Sequence, residues 1–275
     1  MLTATRLAVW GDPIEHSISP RLHAAAYAVL DLPWEYERRR VGEAEFAGAL
    51  AGLGSSWRGL SLTMPLKRVA AASASTIDDS ARRTGAVNTL LLAADGPRGF
   101  NTDVDGLVAA LHDDGVDEVA RGRIVGAGAT AASALVAFTR LGARHVEIVA
   151  RRPEALPPLI RLGDELGVAV SGAPSEGAGR ATVTISTLPG GADLGERATS
   201  LAADGGLLVD VVYGSWPTPL AETWQLAGGR ARSGLGMLAH QALRQVRIFV
   251  NGSPDEPVER EADVLAAMRQ AAMGD

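Results

Sequence analysis

The sequence predicts a two-domain α/β protein whose second domain is built on a parallel sheet. Its 275 residues are enough for two domains of ordinary size. Short apolar or β-branched runs alternate with helical stretches along the chain. From Arg123 onward the order is strand, turn, helix, strand, helix, which is the βαβ arrangement of a parallel sheet.

The first half of the chain predicts four strands and two helical segments. Its strand candidates are short apolar or β-branched runs, and its helical candidates are longer and rich in alanine. Pro20 stands at the start of the first helical segment, where proline fits because the first helical N–H groups have no partner within the helix. The strands are expected at 7–11, 34–39, 57–62 and 86–92, and the helices at 20–30 and 43–53.

The second half predicts a regular succession of strands and helices, closed by two helical segments. The segment 171–180 is poor in apolar residues, which is typical of a surface loop. The strands are expected at 123–128, 145–152, 181–187 and 205–213, and the helices at 129–142, 157–167, 236–250 and 259–273.

The composition excludes several classes of protein. Apolar residues make up 47% and charged residues 21%, the balance of a folded soluble protein. The net charge of −6 gives no electrostatic attraction to nucleic acid or to an anionic membrane. The chain has no cysteine, which excludes disulfides and thiolate metal sites. No segment approaches the roughly 18 consecutive apolar residues of a membrane span, and no secretion signal is evident, so a cytoplasmic location is expected.

Histidine spacing predicts no metal site. The five histidines, at positions 16, 23, 112, 145 and 240, are scattered without the spacing of ligands. The expected partner is a small-molecule substrate, without nucleic acid or membrane, and the chain is expected to be a monomer or a homodimer.

A glycine turn follows the strand that begins at Arg123. Gly126, Gly128 and Ala131 form a G-x-G-x-x-A pattern between that strand and the next helix. The first glycine permits a tight turn, the second lets the backbone approach a pyrophosphate, and the small third residue allows close helix packing. The N–H groups that begin the helix then face the phosphates. The pattern favours a Rossmann-type dinucleotide site over a turn without a ligand.

The residues after the next strand favour NADP over NAD. An NAD site usually has an acidic residue at the end of that strand, where it binds the ribose 2′-hydroxyl. Arg151 and Arg152 stand there instead, and guanidinium groups suit a 2′-phosphate. Glu147 lies too early in the strand to take the acidic role. The alternative is a pair of solvated surface arginines.

The stretch "GFNTDVDG" (99–106) has more hydrogen-bonding side chains than one helix start needs. An apolar, alanine-rich run at 107–111 follows it and predicts a helix. Asn101 and Thr102 suit the turn and the cap, and Asp105 suits the first helical turn. Asp103 is then free to face a ligand. A domain boundary is expected near this stretch, and ligand clefts tend to form at such junctions.

Two further stretches place polar side chains near predicted helix starts. "HSISPRLH" contains Ser17 and Ser19, for which simple helix capping is the alternative. "SLTMPLK" contains Ser61, Thr63 and Lys67 after a strand. A lysine near a helix start is disfavoured by the helix dipole, so Lys67 calls for an explanation.

Taken together, these stretches resemble the shikimate/quinate dehydrogenase family. The matching segments occur in the family's order and span residues 13–242: "PIEHSISPRLH", "SLTMPLK", "TGAVNT", "GFNTDVDG", "VGAGATAAS", "DVVYGSWPTPL" and "SGLGMLAHQA". The resemblance implies an N-terminal α/β substrate-binding domain at 1–103, rejoined by the C-terminal helices from about 240–275. It implies a Rossmann-type NADP-binding domain at 104–239.

The resemblance also implies roles for individual residues. Lys67 and Asp103 would be the catalytic pair at the carbon that is oxidised or reduced. The substrate-binding residues would be Ser17, Ser19, Ser61, Thr63, Asn88, Tyr213 and Gln241. The cofactor-binding residues would be Gly126, Ala127, Gly128, Ala129, Arg151, Arg152, Gly236 and Met237.

Two positions depart from the family pattern. Ser61 stands where the family commonly has asparagine, and its shorter side chain still donates and accepts a hydrogen bond, directly or through water. Ala150 replaces an asparagine that often precedes the phosphate-binding arginine. The alanine at position 150 weakens the assignment of this segment to the adenosine side of the cofactor, but the positive charge of Arg151 is still present.

The activity implied by the resemblance is the reversible, NADPH-dependent reduction of 3-dehydroshikimate to shikimate, a step of aromatic amino acid (chorismate) biosynthesis. The alternatives within the same chemistry are a quinate/shikimate or an aminoshikimate dehydrogenase. The non-enzymatic alternative is an NADP-binding regulator. The presence of Lys67 together with Asp103 argues against that regulator, which needs no catalytic pair.

Overall fold

The computed structural model describes residues 5–172 and 180–274. Within these ranges the chain forms two compact units. The first comprises the residues up to Gly106 and those from Leu238 onward, and the second comprises Leu107–Met237. The predicted two-unit α/β fold, with its C-terminal helices in the first unit, is confirmed. The assignment of the substrate to the first unit and of NADP to the second stays a prediction.

The first unit is built on a mixed sheet with the strand order β2-β1-β3-β5-β6-β4. Strand β1 is parallel to β2 and β3, whereas β5 is antiparallel to β3 and β6. The elements are β1 (Arg6–Gly11), α1 (Ser19–Val29), β2 (Glu35–Arg40), α2 (Glu43–Ala51), β3 (Trp57–Leu62), α3 (Lys67–Ser73), β4 (Thr76–Ile77), α4 (Asp79–Thr84), β5 (Thr89–Ala93), β6 (Gly96–Phe100) and the beginning of α5 (Asp103–Asp113).

The second unit is built on a six-stranded, fully parallel sheet with the order β12-β11-β10-β7-β8-β9. Read from β9, this is the 3-2-1-4-5-6 order of a Rossmann fold. Its elements after α5 are β7 (Arg121–Val125), α6 (Ala129–Arg140), β8 (His145–Val149), α7 (Leu156–Leu166), β9 (Ala169–Gly172), β10 (Val183–Ser186), α8 (Glu196–Asp204), β11 (Leu207–Asp210), α9 (Pro219–Leu226) and β12 (Ala231–Ser233); α10 (Leu235–Asn251) and α11 (Glu261–Met273) follow.

The long apolar elements lie where the sequence predicts them, and the short ones escape prediction. Each expected strand and helix has a counterpart in the structure within a few residues. The helix start expected at Lys67 is that of α3, and the elements without a prediction are brief or polar: α4, β4, β6, α8, β9 and β12. The expected surface loop at 171–180 falls mainly on 173–179, which lie outside the described residues, while Ser171 and Gly172 end β9.

No helix within residues 5–172 and 180–274 has the length and apolar character needed to cross a bilayer. Over the same residues, no group of three or more His, Asp or Glu side chains is placed to hold a metal ion.

A buried arginine joins three elements of the second unit. Arg123 on β7 is 3% exposed. Its Nε donates to Glu147 Oε2 on β8 at 2.9 Å, and its Nη1 donates to Asp204 Oδ1 at the end of α8 at 2.7 Å. Glu147 is therefore held by Arg123 inside the sheet, in keeping with the expectation that it does not serve the ribose.

Replacement of Arg123 by methionine should destabilise the second unit strongly. Methionine fills much of the volume but leaves the buried Glu147 without a counter-charge, for which we expect a loss of about 3–5 kcal/mol in the free energy of unfolding. Urea denaturation measures the loss. The control is Arg83→Met, which breaks the exposed pair with Asp79 and should cost about 1 kcal/mol or less. Equal losses in the two variants would contradict this account.

Candidate active site

An ion pair between the largely buried Lys67 and the buried Asp103 is the centre of the polar cluster in the first unit. Lys67 Nζ donates to Asp103 Oδ2 at 2.5 Å, and the two side chains are 14% and 6% exposed. Lys67 is the first residue of α3 and Asp103 the first residue of α5. An ammonium group is unfavourable at the positive end of a helix, and the Asp103 carboxylate compensates for it. This pairing supplies the explanation that the position of Lys67 required.

The turn that leads to Lys67 is held against the end of β1. Thr63 N donates to Trp10 O at 3.0 Å, and Leu66 N donates to Thr63 O at 2.8 Å, which closes the turn before α3. Gly11 lies against this turn so closely that a Cβ atom there would come within 2.4 Å of Thr63 Cγ2 and 2.9 Å of Met64 O. Glycine at position 11 is therefore required for Thr63 and Lys67 to lie where they do.

The second oxygen of Asp103 is bound by Asn88, which also contacts Thr102 and Gln241. Asn88 Nδ2 donates to Asp103 Oδ1 at 2.7 Å and to Thr102 Oγ1 at 3.0 Å, and it lies 3.4 Å from Gln241 Oε1. Thr102 Oγ1 is also 3.3 Å from Gln241 Oε1. The fold thus brings together Lys67, Asn88, Asp103 and Gln241 from four separate parts of the sequence.

The polar stretch at 99–106 divides its side chains between the turn and the cluster. Asn101 Oδ1 accepts from Asp103 N at 3.0 Å, and its Nδ2 donates to Thr84 Oγ1 and Ala86 O. Asn101 therefore shapes the start of α5, as expected. The hydroxyl of Thr102 lies instead against Asn88. Asp105 is in the first turn of α5, as expected.

A second layer of polar side chains lies behind Asn88, and the sequence analysis missed it. Gln245 Nε2 donates to Thr89 Oγ1 at 3.0 Å, and Thr89 Oγ1 donates to Asn88 Oδ1 at 2.8 Å. Gln245 Oε1 lies 2.8 Å from Ser61 Oγ and 3.2 Å from His23 Nε2. The available signal was the i, i+4 spacing of Gln241 and Gln245, which places both amides on one face of α10.

The other predicted substrate residues of the first unit lie near helix starts or strand ends. Ser17 Oγ accepts from Ser19 N at 3.4 Å, just before α1. Ser19 is buried and Ser17 half-buried. The bond to Ser17 Oγ satisfies the first N–H group of α1, Pro20 has no N–H, and Arg21 N donates to Ile18 O at 3.0 Å. Ser61 is buried on β3, and its hydroxyl donates to Gln245.

The glycine turn of the second unit has the geometry of a dinucleotide site. Gly126 has φ +114°, and a Cβ atom there would lie 2.3 Å from Thr187 Oγ1, so only glycine fits. Gly126 follows β7 and Thr187 follows β10, the two strands between which the sheet order reverses. Gly128 precedes α6, and no side chain within the described ranges caps that helix. Its first N–H groups are available to phosphate oxygens.

The remaining predicted cofactor residues differ in exposure. Ala127 and Ala129 are half-buried around the turn. Arg151 and Arg152 are exposed just after β8. Gly236 is half-buried at the start of α10, with the position of its missing Cβ 3.4 Å from Ala110 Cβ, and Met237 is 8% exposed.

Tyr213 is half-buried on a loop that is tied at both ends. Thr218 Oγ1, at the start of α9, donates to Asp210 Oδ2 at the end of β11 at 2.7 Å. Thr218 also caps α9 by accepting from Ala221 N. Burial raises the pKa of Asp210, and the hydrogen bonds from Thr218 and Val212 oppose that rise.

The fold defines the class of protein, and the similarity to known proteins identifies the family. The Rossmann strand order with its glycine turn defines the second unit as a dinucleotide-binding fold. A family model described as the shikimate dehydrogenase substrate binding domain matches residues 9–90. Two curated relatives, each named shikimate dehydrogenase (NADP(+)), come from Methanococcoides burtonii (34% identity, 90% of this chain and 93% of the relative) and Anaeromyxobacter sp. (36%, 90% and 91%).

Solved structures agree with these relatives. The crystal structure of Mycobacterium tuberculosis shikimate dehydrogenase has a TM-score of 0.82 and 39% identity, covering 96% of this chain and 99% of its own. The Thermus thermophilus enzyme, solved with NADP(H) and shikimate, has a TM-score of 0.80 and 29% identity, covering 97% and 99%. The chain belongs to the shikimate dehydrogenase family.

Acid should destabilise the protein through the buried His23. Its ring contacts Tyr27, Tyr36 and Phe249, and burial lowers its pKa to about 3, whereas a histidine in an unfolded chain titrates near 6.5. Between these values the unfolded chain binds one proton more than the folded one, so stability falls as the pH drops below about 6.5.

The measurement is urea denaturation of wild type and His23→Gln from pH 7.5 to 5. We expect the wild-type free energy of unfolding to fall more steeply than that of the variant, by a difference that approaches about 1.4 kcal/mol per pH unit. Parallel pH profiles would show that His23 is not the group responsible.

Proposed function

We propose that this protein catalyses the reversible reduction of the ring ketone of 3-dehydroshikimate to shikimate, with NADPH as the hydride donor. The observation that carries the proposal is the largely buried pair of Lys67 and Asp103, set among amide and hydroxyl groups in the unit that the substrate-binding family model matches. The relatives named above are NADP-dependent shikimate dehydrogenases, and one of them was solved with shikimate and NADP(H).

In this proposal the substrate carboxylate is bound by Ser17 and Ser19. Ser17 Oγ accepts from Ser19 N, so its hydroxyl hydrogen can be donated to a carboxylate oxygen, and the Ser19 hydroxyl supplies a second donor. The ring hydroxyls are bound by Thr63, Asn88 and Gln241, which combine donors with acceptors. Tyr213 serves the carboxylate from its loop, and Ser61 contributes through its remaining acceptor capacity.

The catalytic step needs a proton at the ketone oxygen as the hydride arrives at the carbon. Lys67 supplies a positive charge that stabilises the developing alkoxide, and the Lys67–Asp103 pair supplies and recovers the proton. Of the 26 lysine and arginine residues in the chain, Lys67 is the only lysine. An arginine cannot take this role, because its guanidinium does not give up a proton in a protein.

The residues around the glycine turn fit the dinucleotide. Bound NADPH supplies the hydride, and the turn at Gly126, Ala127, Gly128 and Ala129 holds its pyrophosphate. Arg151, with Arg152 beside it, binds the 2′-phosphate, since both guanidinium groups are exposed directly after β8. Gly236 and Met237 lie beside the nicotinamide in this proposal.

The first test is the steady-state oxidation of shikimate and of quinate, each with NADP⁺ and with NAD⁺. The rate is measured as the formation of the reduced nicotinamide. We expect shikimate with NADP⁺ to give the highest kcat/KM. A preference for quinate would overturn the substrate assignment, and a preference for NAD⁺ would overturn the role of Arg151. Absence of turnover with every pair, in folded protein that binds NADP⁺, would favour a regulator.

The second test is Lys67→Met, with Arg68→Met as its matched control. Methionine removes the ammonium but keeps most of the side-chain volume, so kcat should fall by roughly 10²–10⁴-fold while the Kd for NADP⁺ is retained. Arg68 is the next residue on α3 and is exposed, so its loss should leave kcat within about twofold. Equal kcat values in the two variants would remove Lys67 from the reaction.

A further inference from the structure

A row of hydrogen bonds runs from the core of the first unit to Asp103. It begins at Tyr27 and passes through His23, Gln245, Thr89 and Asn88; we call these five residues the positioning chain. We propose that Gln245 and Thr89 are positioning residues for ketone reduction: they fix the Asn88 amide and, through it, the orientation of the Asp103 carboxylate toward Lys67. The inference rests on the proposed function.

The orientation of the Gln245 amide is set by a backbone carbonyl. Gln245 Nε2 lies 3.3 Å from Asn88 O, an atom that can only accept a hydrogen bond. The NH₂ group must therefore face Asn88 O and Thr89 Oγ1. The Gln245 carbonyl oxygen then faces Ser61 Oγ and His23 Nε2, and both of these atoms must donate to it.

The tautomer of His23 follows from the same argument. Since Nε2 donates to Gln245, the proton of the neutral ring is on Nε2 and Nδ1 is an acceptor, to which the Tyr27 hydroxyl donates at 3.1 Å. Tyr36 stacks on the ring at a centroid distance of 4.0 Å and prevents it from turning. Burial keeps the ring neutral at physiological pH.

The Asn88 amide is fixed in the same manner at the other end. Its Oδ1 accepts from the backbone Thr102 N at 2.9 Å, and its Nδ2 donates to the Asp103 carboxylate, which only accepts. Thr89 Oγ1 accepts from Gln245, so its hydrogen is directed to Asn88 Oδ1. Each residue of the positioning chain therefore donates a hydrogen bond to the next one, and the last bond is donated to Asp103.

This direction decides which oxygen of Asp103 meets Lys67. With Oδ1 bound by Asn88, Oδ2 is left for Nζ. If the Asn88 amide turned over, its carbonyl oxygen would face the carboxylate and repel it. These residues are buried: Thr89 and His23 are 0% exposed, and Asn88 and Gln245 are 2% exposed. Water therefore does not replace a hydrogen-bond donor that is lost.

The test is Thr89→Val, which removes one hydroxyl and keeps the shape of the side chain. We expect kcat for shikimate oxidation to fall roughly 5- to 50-fold, with the Kd for NADP⁺ unchanged, because the loss acts on the position of Asp103 and not on binding of the dinucleotide. Thr89→Ser restores the hydroxyl and should recover most of kcat.

The matched control is Thr184→Val in the second unit. Thr184 is also a fully buried strand threonine, and its Oγ1 donates to Gly205 O at 2.7 Å. The control should lose stability to a similar extent and keep its kcat. Wild type and both variants are also made with ¹³C-labelled lysine, which gives one Cε signal because Lys67 is the only lysine. That signal should shift in Thr89→Val and stay in place in Thr184→Val.

The outcomes separate this inference from the proposed function. If wild type oxidises shikimate and Thr89→Val keeps wild-type kcat and the wild-type Cε signal, the positioning role is wrong and the function stands. If wild type itself does not oxidise shikimate, the proposed function is wrong. If Thr89→Val does not fold, Gln245→Met is used instead, because it interrupts the same row of hydrogen bonds. We expect the same fall in kcat, the same unchanged Kd for NADP⁺ and the same shift of the Cε signal.

Discussion

The largely buried contact between Lys67 and Asp103 is the interaction on which the rest of the first unit depends. Removing an ammonium and a carboxylate from water costs more than their attraction returns unless their remaining hydrogen-bonding capacity is also satisfied. Asn88 meets that requirement at Asp103 Oδ1. Its own amide is in turn held by Thr89 and Thr102. The polar core behind the pair is thus a condition for burying it.

Helix starts organise both units. In the first unit, α3 and α5 begin at the two members of the ion pair, so each backbone fixes its side chain at the first helical residue. The start of α6 instead has no cap from a described side chain, which suits the anionic groups of a ligand. A helix start therefore holds the paired side chains of Lys67 and Asp103 in the first unit and leaves N–H groups suited to phosphate in the second.

The arginines and the single lysine of the chain differ in whether the side chain can release a proton. Arginine is used wherever a fixed cation is sufficient, as at the buried Arg123, which holds Glu147 and Asp204. Lysine occurs once, at Lys67, where the proposed reaction needs a proton that can be released. This contrast supports a chemical role for Lys67 independently of any relative.

The α/β class, the parallel second sheet and the dinucleotide turn can be predicted from the sequence, because apolar periodicity and glycine placement are local properties of the chain. The sequence also singled out Lys67 and Asp103 as a pair, through family motifs and not through spacing. Only the tertiary structure decided that Gln245, Thr89 and His23 line up behind them. Those residues come from α10, β5 and α1, and their hydrogen bonds join positions as many as 222 residues apart, which no local pattern can predict.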